Sequence, residues 1–393
     1  MDIQNIERDI VGFLQELIRT PGIAGDLSAV ADVVGRRMRS LGFDEVWQDE
    51  VGNVIGKRRG SLPGPRLVFD AHMDTVEVGE RDAWVHDPFG GEYSPGEYGR
   101  GKIWGRGAAD DKGSLAAFTV ALARLPREAI RGEVYAVGTV GEELIEGAAL
   151  ETVLDEIHPD GVIIGEPTDC RLGIGHKGRA RLVFSIHGKA AHSSSPEVGD
   201  NAIDKAVEVI RRVRQIPSVE DPLLGKSVME PIQLFSSPYP SASTVPYACE
   251  VVFDRRMVRG ETRQTVLALH ESVLQGMDGS TVHIPEVSVP CYTGKKISRQ
   301  DFHPAWSVDP DSEWVRLALE GLKSAGIPPI TYGTPFCTNC SGSAGERGLP
   351  TLVFGPGSVH LAHVTDEYAE VSELLHAVRG YMGLAQALGQ LKV

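Results

Sequence analysis

The residues best suited to chemistry fall in five separated segments of a 393-residue chain. They are His72-Met73-Asp74, the GRGAADDKG run of 105–113 with Asp110 and Asp111, Glu142-Glu143, Glu166-Pro167, and His363. Each alone has an ordinary explanation. A lone histidine is usually a satisfied surface or core group, paired glutamates are usually a solvated face, and Asp110-Asp111 could simply cap a helix. Together they offer imidazole and carboxylate, a mixture that suits zinc, manganese or cobalt, whereas calcium and magnesium favour oxygen alone. A carboxylate shared by two such ions would let one site hold both the attacking and the leaving group of a hydrolysis.

These segments need a frame that gathers them. Apolar spacing predicts a helix over 2–18, with Ile3, Ile6, Ile10, Phe13, Leu14 and Leu17 on one face. A second helix is expected over 28–41, with Ser28 as N-cap and Gly42 as its stop. Strand-like runs at 54–57 and 66–70 come next, then a helix at 112–124, a strand at 133–139, a helix at 148–156 and a strand at 161–165. This alternation predicts an α/β fold with a mostly parallel sheet flanked by helices. In such sheets functional residues sit just beyond the carboxyl ends of the strands, which is where all five segments fall. After Gly175 the pattern changes to a strand at 179–187, a helix at 201–213, a strand at 243–253, a helical run at 267–274 and an alternating run at 281–289. The expected organisation is a catalytic domain formed by 1–177 and 293–393, interrupted by a smaller α+β lid or dimerisation domain at 178–292. A Pro- and Gly-containing linker is expected over 290–310. A helix at 312–325, a strand at 351–354 and a helix at 372–388 complete the larger domain.

Composition excludes several classes. Hydrophobic residues at 41% and charged residues at 24% argue against disordered and fibrous chains. No apolar run approaches the roughly 20 residues that span a bilayer, and the acids scattered through 1–18 are unlike a signal peptide. Five cysteines, an odd number, point to a reducing, cytoplasmic setting without a disulfide framework. A net charge of −15 argues against nucleic-acid and anionic-membrane partners.

Four other motifs fail on context. The GxGxxG at 173–178 is followed by a strand where a dinucleotide site needs a helix. His270-Glu271 has Leu274 where a zincin needs its second histidine. Ser341 to Gly345 lacks the first glycine of a nucleophile elbow. Cys337 and Cys340 form a CxxC without a second pair, so they are expected neither to pair nor to hold a structural metal.

Six stretches occur in a particular order: DAHMDTV (70–76), GRGAADDKG (105–113), GTVGEE (138–143), GEPT (165–168), GKAAHSSSPEVGDNAI (188–203) and FGPG…AHVTDE (354–367). In these the chain resembles the co-catalytic metallopeptidase and aminoacylase family that includes acetylornithine deacetylase, succinyl-diaminopimelate desuccinylase and bacterial glutamate carboxypeptidase. The resemblance covers nearly the whole chain. It implies two divalent metal ions per chain, zinc foremost with manganese or cobalt as alternatives. His72 and Glu166 would hold one ion, Glu143 and His363 the other, and Asp110 would bridge them. Asp74 would orient the His72 ring, and Glu142 would be the general base. His360 competes with His363 as ligand, and the family spacing to Asp366-Glu367 favours His363. The resemblance also implies a cis peptide between Asp110 and Asp111. From the lid, His192 would reach the scissile carbonyl of the partner subunit's substrate, against the plainer reading of a surface-loop histidine. Arg256 would bind the substrate carboxylate or carbonyl, against that of an exposed strand cation. Ser243 stands where several relatives carry Asn, and 334–345 also departs from the deacetylase and desuccinylase patterns. The expected function is an amidohydrolase that deacylates a small N-acyl amino acid-like substrate carrying a free carboxylate, acting as a homodimer through the lid. A dipeptidase or carboxypeptidase on the same scaffold is the alternative.

Overall fold

In the computed structural model, which describes residues 3–23, 25–96 and 101–392, the largest feature is a 9-stranded sheet. Asp2, expected in the first helix, lies outside the described residues. Across the sheet the strands run Glu45–Gln48, Val54–Arg59, Arg131–Thr139, Leu62–His72, Gly161–Ile164, Thr351–Val353, Leu172–His176 and Trp306–Ser307, with Thr331–Thr334 also on Leu172–His176. The central strands, from Arg131–Thr139 to Thr351–Val353, are parallel, and antiparallel pairs flank them. Alternation along each central strand feeds both faces. Leu67, Phe69 and Ala71 enter the core under helices Ile3–Ile18, Lys112–Arg124 and Val371–Leu388, while Val68 enters the core under helix Ala148–Ile157. Phe69 meets Phe118 and Tyr381 at ring distances of 6.4 and 6.1 Å. Helix Lys112–Arg124 is buried from Lys112 to Leu122, as its run of small and apolar residues requires.

The second body is a 5-stranded antiparallel sheet in the order Val228–Ser237, Ala248–Met257, Gly178–His187, Thr281–His283, with Phe302–His303 also on Gly178–His187. Ala180, Leu182, Phe184 and Ile186 alternate inward against Ala206 and Val209 of helix Ala202–Val213. The chain enters this sheet at Gly178 and leaves it at His303, side by side. A Cβ on Gly178 would lie 2.5 Å from the His303 carbonyl oxygen, so the two crossings touch.

Several expectations need correction. Ile3 is 60% exposed, off the buried face of its helix. Ser28 is the first residue of helix Ser28–Ser40 rather than its cap, and its hydroxyl turns to Asp26. The strand expected at 243–253 is Ala248–Met257, because Ser243 turns the chain at φ 54° and Thr244 bridges His192. The helical run at 267–274 starts earlier, at Arg263, behind a capping box built by Thr262 and Thr265. The expected linker at 290–310 holds a hairpin, Glu286–Pro290 with Lys296–Gln300, whose Val289 and Ile297 pack into the larger core. Phe302–His303 then returns to the smaller sheet, beyond the expected boundary at 292. Strands Val228–Ser237 and Leu172–His176 were not expected at all.

Candidate metal centre

The parallel strands end together. His72 is opposite Thr139 in the ladder, so Glu142 and Glu143 begin just past that pair. Ile164 ends its strand beside Val353, which brings Glu166 close. Asp110 arrives from the segment that starts helix Lys112–Arg124, through a cis peptide to Asp111.

Asp110 is the hub. Its Oδ1 lies 3.0 Å from His72 Nε2 and its Oδ2 lies 3.3 Å from His363 Nε2. His363 Nε2 also lies 3.1 Å from Glu143 Oε1, and His72 Nε2 lies 3.9 Å from Glu142 Oε2. Potential donor atoms of His72, Asp110 and Glu143 fall within 4.8 Å of one another, as do those of His72, Asp111 and Glu166. His363, at φ 62°, is 52% exposed where His72 is 2% exposed, so the cluster runs from a buried to an open end. His360 is exposed and does not line the cleft, in which Val359, Ala362 and His363 do.

The supporting contacts differ in part from expectation. The His72 Nδ1 is held at 2.8 Å by the backbone carbonyl oxygen of Asp74, and the Asp74 carboxylate stands 3.8 Å off. That carboxylate instead accepts from the backbone N–H groups of Glu142 and Glu143, at 3.2 and 3.1 Å. Asp74 thus fixes the histidine and the glutamate pair at once. Glu367 accepts from the N–H groups of Ala109 and Asp110 at 2.8 and 3.1 Å and pairs with Arg106 at 2.6 Å, which sets the Asp110 backbone. Asn339, from the segment at 334–345, donates to Asp70 and Thr139 and accepts from the Gly147 N–H, tying two strand ends together. Sequence reasoning singled out neither Asn339 nor the carboxylate of Glu367. Their partners lie far away in the chain, and no local spacing reveals them.

The electrostatics call for a cation. Burial drives the carboxyls of Glu142 and Glu166 well above the carboxylate range, and neighbouring carboxylates push the same way. Burial pulls the His72 imidazole down, but Asp110, Glu142 and Asp74 hold it well above its usual value. Asp110 and Glu143 raise His363 to about 10. Among the described residues both oxygens of Asp111 are buried without a well-formed hydrogen bond, with only the Ser114 hydroxyl facing them. A buried carboxylate without a partner is costly unless a cation answers it, so the donor set and its unmet charge both fit divalent metal ions.

A cleft of about 380 Å³ opens over the cluster, lined by Asp110, Glu142, Glu143, Glu166 and His363 on one side and by Arg179, Asp254 and Arg256 from the smaller sheet on the other. Arg256 Nε donates to Asp254 at 2.8 Å. His192 and Ser243 are not among the described residues that line this cleft. They sit together on an exposed loop, where Ser193 N–H donates to the Ser243 carbonyl and His192 Nδ1 meets Ser194 Oγ at 2.7 Å. Cys337 also lines the cleft, and it and Cys340 are buried free thiols. A larger hollow of about 640 Å³ between helices Glu313–Ser324 and Val371–Leu388 is lined by no histidine or cysteine.

Three comparisons bear on this geometry. The uncharacterized protein YgeY of Escherichia coli K12 is 30% identical over 392 residues, covering 97% of this chain and 94% of that protein. A probable succinyl-diaminopimelate desuccinylase of Staphylococcus epidermidis is 28% identical over 360 residues, covering 82% of this chain and 83% of that one. The crystal structure of a Staphylococcus aureus tripeptidase superimposes with a TM-score of 0.75 at 19% identity, over 98% of this chain and 99% of that one, which shows a shared fold. Among the described residues no helix is long and apolar enough to cross a membrane. The sequence profile of peptidase family M20/M25/M40 matches residues 68–387, and the chain belongs to that family of metal-dependent hydrolases of amide bonds.

Proposed function

We propose that the chain is a dinuclear metal-dependent deacylase that frees the amine of a small N-acyl amino acid-like substrate. The observation that carries this reading is Asp110, which turns one carboxylate oxygen to each of two histidines. His72 and Glu166 would hold one divalent ion and Glu143 with His363 the other, with Asp110 between; zinc suits this donor set best, with manganese or cobalt as alternatives. When bound, such a pair supplies Lewis acidity, polarising the carbonyl and lowering the pKa of water. Glu142 takes the proton from the attacking water and delivers it to the leaving nitrogen as the C–N bond breaks. Its backbone is fixed by Asp74, so the carboxylate is presented at a set place. Across the cleft Arg256 would receive the substrate carboxylate, a match its guanidinium is shaped for.

His192 and Ser243 lie off this cleft, which is consistent with a role in a partner's site. Residues of roughly 178–292 would form a two-fold homodimer. Its support is strand Val228–Ser237, a sheet edge that leaves Ile232, Leu234 and Phe235 exposed at 48, 45 and 56%. Five free cysteines suit a reducing cytoplasm. A dipeptidase or carboxypeptidase would use the same cluster. A panel of N-acyl amino acids and dipeptides, read by released amine, separates the two. Glu142→Gln should lower turnover at least about 100-fold while metal content stays at the wild-type level. Loss of an ion in that variant would make Glu142 a ligand and overturn its assignment as base.

A further inference from the structure

Asp111 has no assigned task. The usual use of an acid just before a helix is to cap it, yet Asp111 makes no side-chain hydrogen bond to the start of helix Lys112–Arg124. Its carboxylate is 0% exposed, and among the described residues neither oxygen makes a well-formed hydrogen bond, the Ser114 hydroxyl alone facing it. A carboxylate held so deep is expensive unless a cation answers it. What the carboxylate does have is position. One of its oxygens, a His72 ring nitrogen and a Glu166 oxygen all lie within 4.8 Å of one another, and all three residues are buried. Three donors each about 2.1 Å from a common ion stand roughly 3.0–3.5 Å apart, so a small adjustment of side chains closes the set.

Resting on the metal-dependent reading of this site, we propose that Asp111 is itself a ligand of the ion held by His72 and Glu166. The tandem acids then divide their work. Asp110 lies between the two histidines, and Asp111 serves the buried side alone. The two ions would sit in unlike surroundings. The inner one has His72 with the carboxylates of Asp110, Asp111 and Glu166, and the outer one has His363 with those of Asp110 and Glu143. A set richer in oxygen and negative charge prefers a harder ion, so the inner position should accept manganese more readily than the outer one.

The test is cobalt(II) titration of the chelated full-length protein, followed by its visible absorption and by equilibrium dialysis. Asp111→Asn keeps the shape and removes the charge. It should weaken the inner ion at least about 10-fold and change its absorption band, while the outer ion, identified by its loss in His363→Ala, keeps its constant. Because the substitution keeps the side chain's shape and removes no well-formed hydrogen bond, the metal-free variant should melt no lower than metal-free wild type. Asp111→Ser repeats the measurement with a smaller side chain should Asp111→Asn fail to fold. Unchanged constants and an unchanged spectrum in a folded variant would overturn the proposal and leave Asp111 as a buried, protonated acid. If wild type takes up a single ion, the dinuclear reading falls. Weakening of that single ion by Asp111→Asn would still support the ligand role, and no weakening would end it.

Discussion

Glu142 and Glu146 are almost equally buried, at 7% and 8% exposure, and belong to two clusters with opposite electrostatics. Around Glu142 the neighbours are mostly other acids, and its carboxyl is driven up. Around Glu146 the nearest partners are an arginine and a histidine. Arg179 grips both its oxygens, at 2.6 and 2.5 Å, and His303 Nε2 stands 3.3 Å away. Asp301 completes the group, 3.0 Å from Arg179 and 3.3 Å from Arg181. Burial raises Glu146, but His303 and Arg179 outweigh it and hold the carboxyl down at about 2. Burial is therefore common to both clusters, and the supply of countercharge separates them. The second cluster is complete within the chain and pins the point where the two sheets meet. The first has a donor set that fits metal from outside the chain.

That difference can be broken by experiment, most forcefully at the incomplete cluster. Ions that bind only the folded state stabilise it by about 4 kcal/mol each when present at 1,000 times their dissociation constants. Zinc should thus raise the melting temperature of chelated protein by a wide margin, and a melt indifferent to zinc and chelator would erase the contrast. Next in size is Arg179→Met, which removes the cation that Glu146 and Asp301 share. It should cost about 3–5 kcal/mol in urea unfolding, by the same amount in chelated and loaded protein. A loss seen only in loaded protein would show that the junction belongs to the metal centre after all.

The smallest effect concerns pH. The titratable and charged groups that face Glu146 include Arg179, His303, His176, Glu142 and the Cys337 thiol. Its folded value of about 2 lies below the ordinary 4.5, so its contribution is present above pH 4.5 and is lost as pH falls towards 2. Glu146→Gln should cost on the order of 2–3 kcal/mol at pH 7. That deficit should shrink steadily below pH 4.5; a deficit that stays constant with pH would assign the loss to packing.

Much of the larger sheet is legible in sequence because its central strands are covered on both faces and read as apolar runs, such as Val134–Val137 and Val162–Ile164. His72, Glu143 and Glu166 are legible for the same reason, since they end or closely follow such runs, whereas Asp110 and His363 lie in connecting segments. Strand Val228–Ser237 is not, because exposure along most of its length and a proline at 231 leave no inward-outward alternation to read. Strand Leu172–His176 is masked by its two glycines. The junction of Glu146, Arg179, Asp301 and His303 escapes for another reason: each residue is ordinary in its own segment, and only the fold puts them within reach.

The side-by-side entry and exit of the smaller sheet give it the character of a cassette. Ala180 pairs with Phe302 and Arg179 with His303, so the segment 181–301 leaves and rejoins the larger body at adjacent rungs of one ladder, with its hairpin at 286–300 folding back as a second contact. An insert whose ends are already adjacent adds little closure entropy to its host and leaves the threading of the larger sheet untouched. Recognition surfaces carried on the smaller sheet can therefore be reshaped while the strand ends that gather His72, Asp110 and Glu143 stay in register.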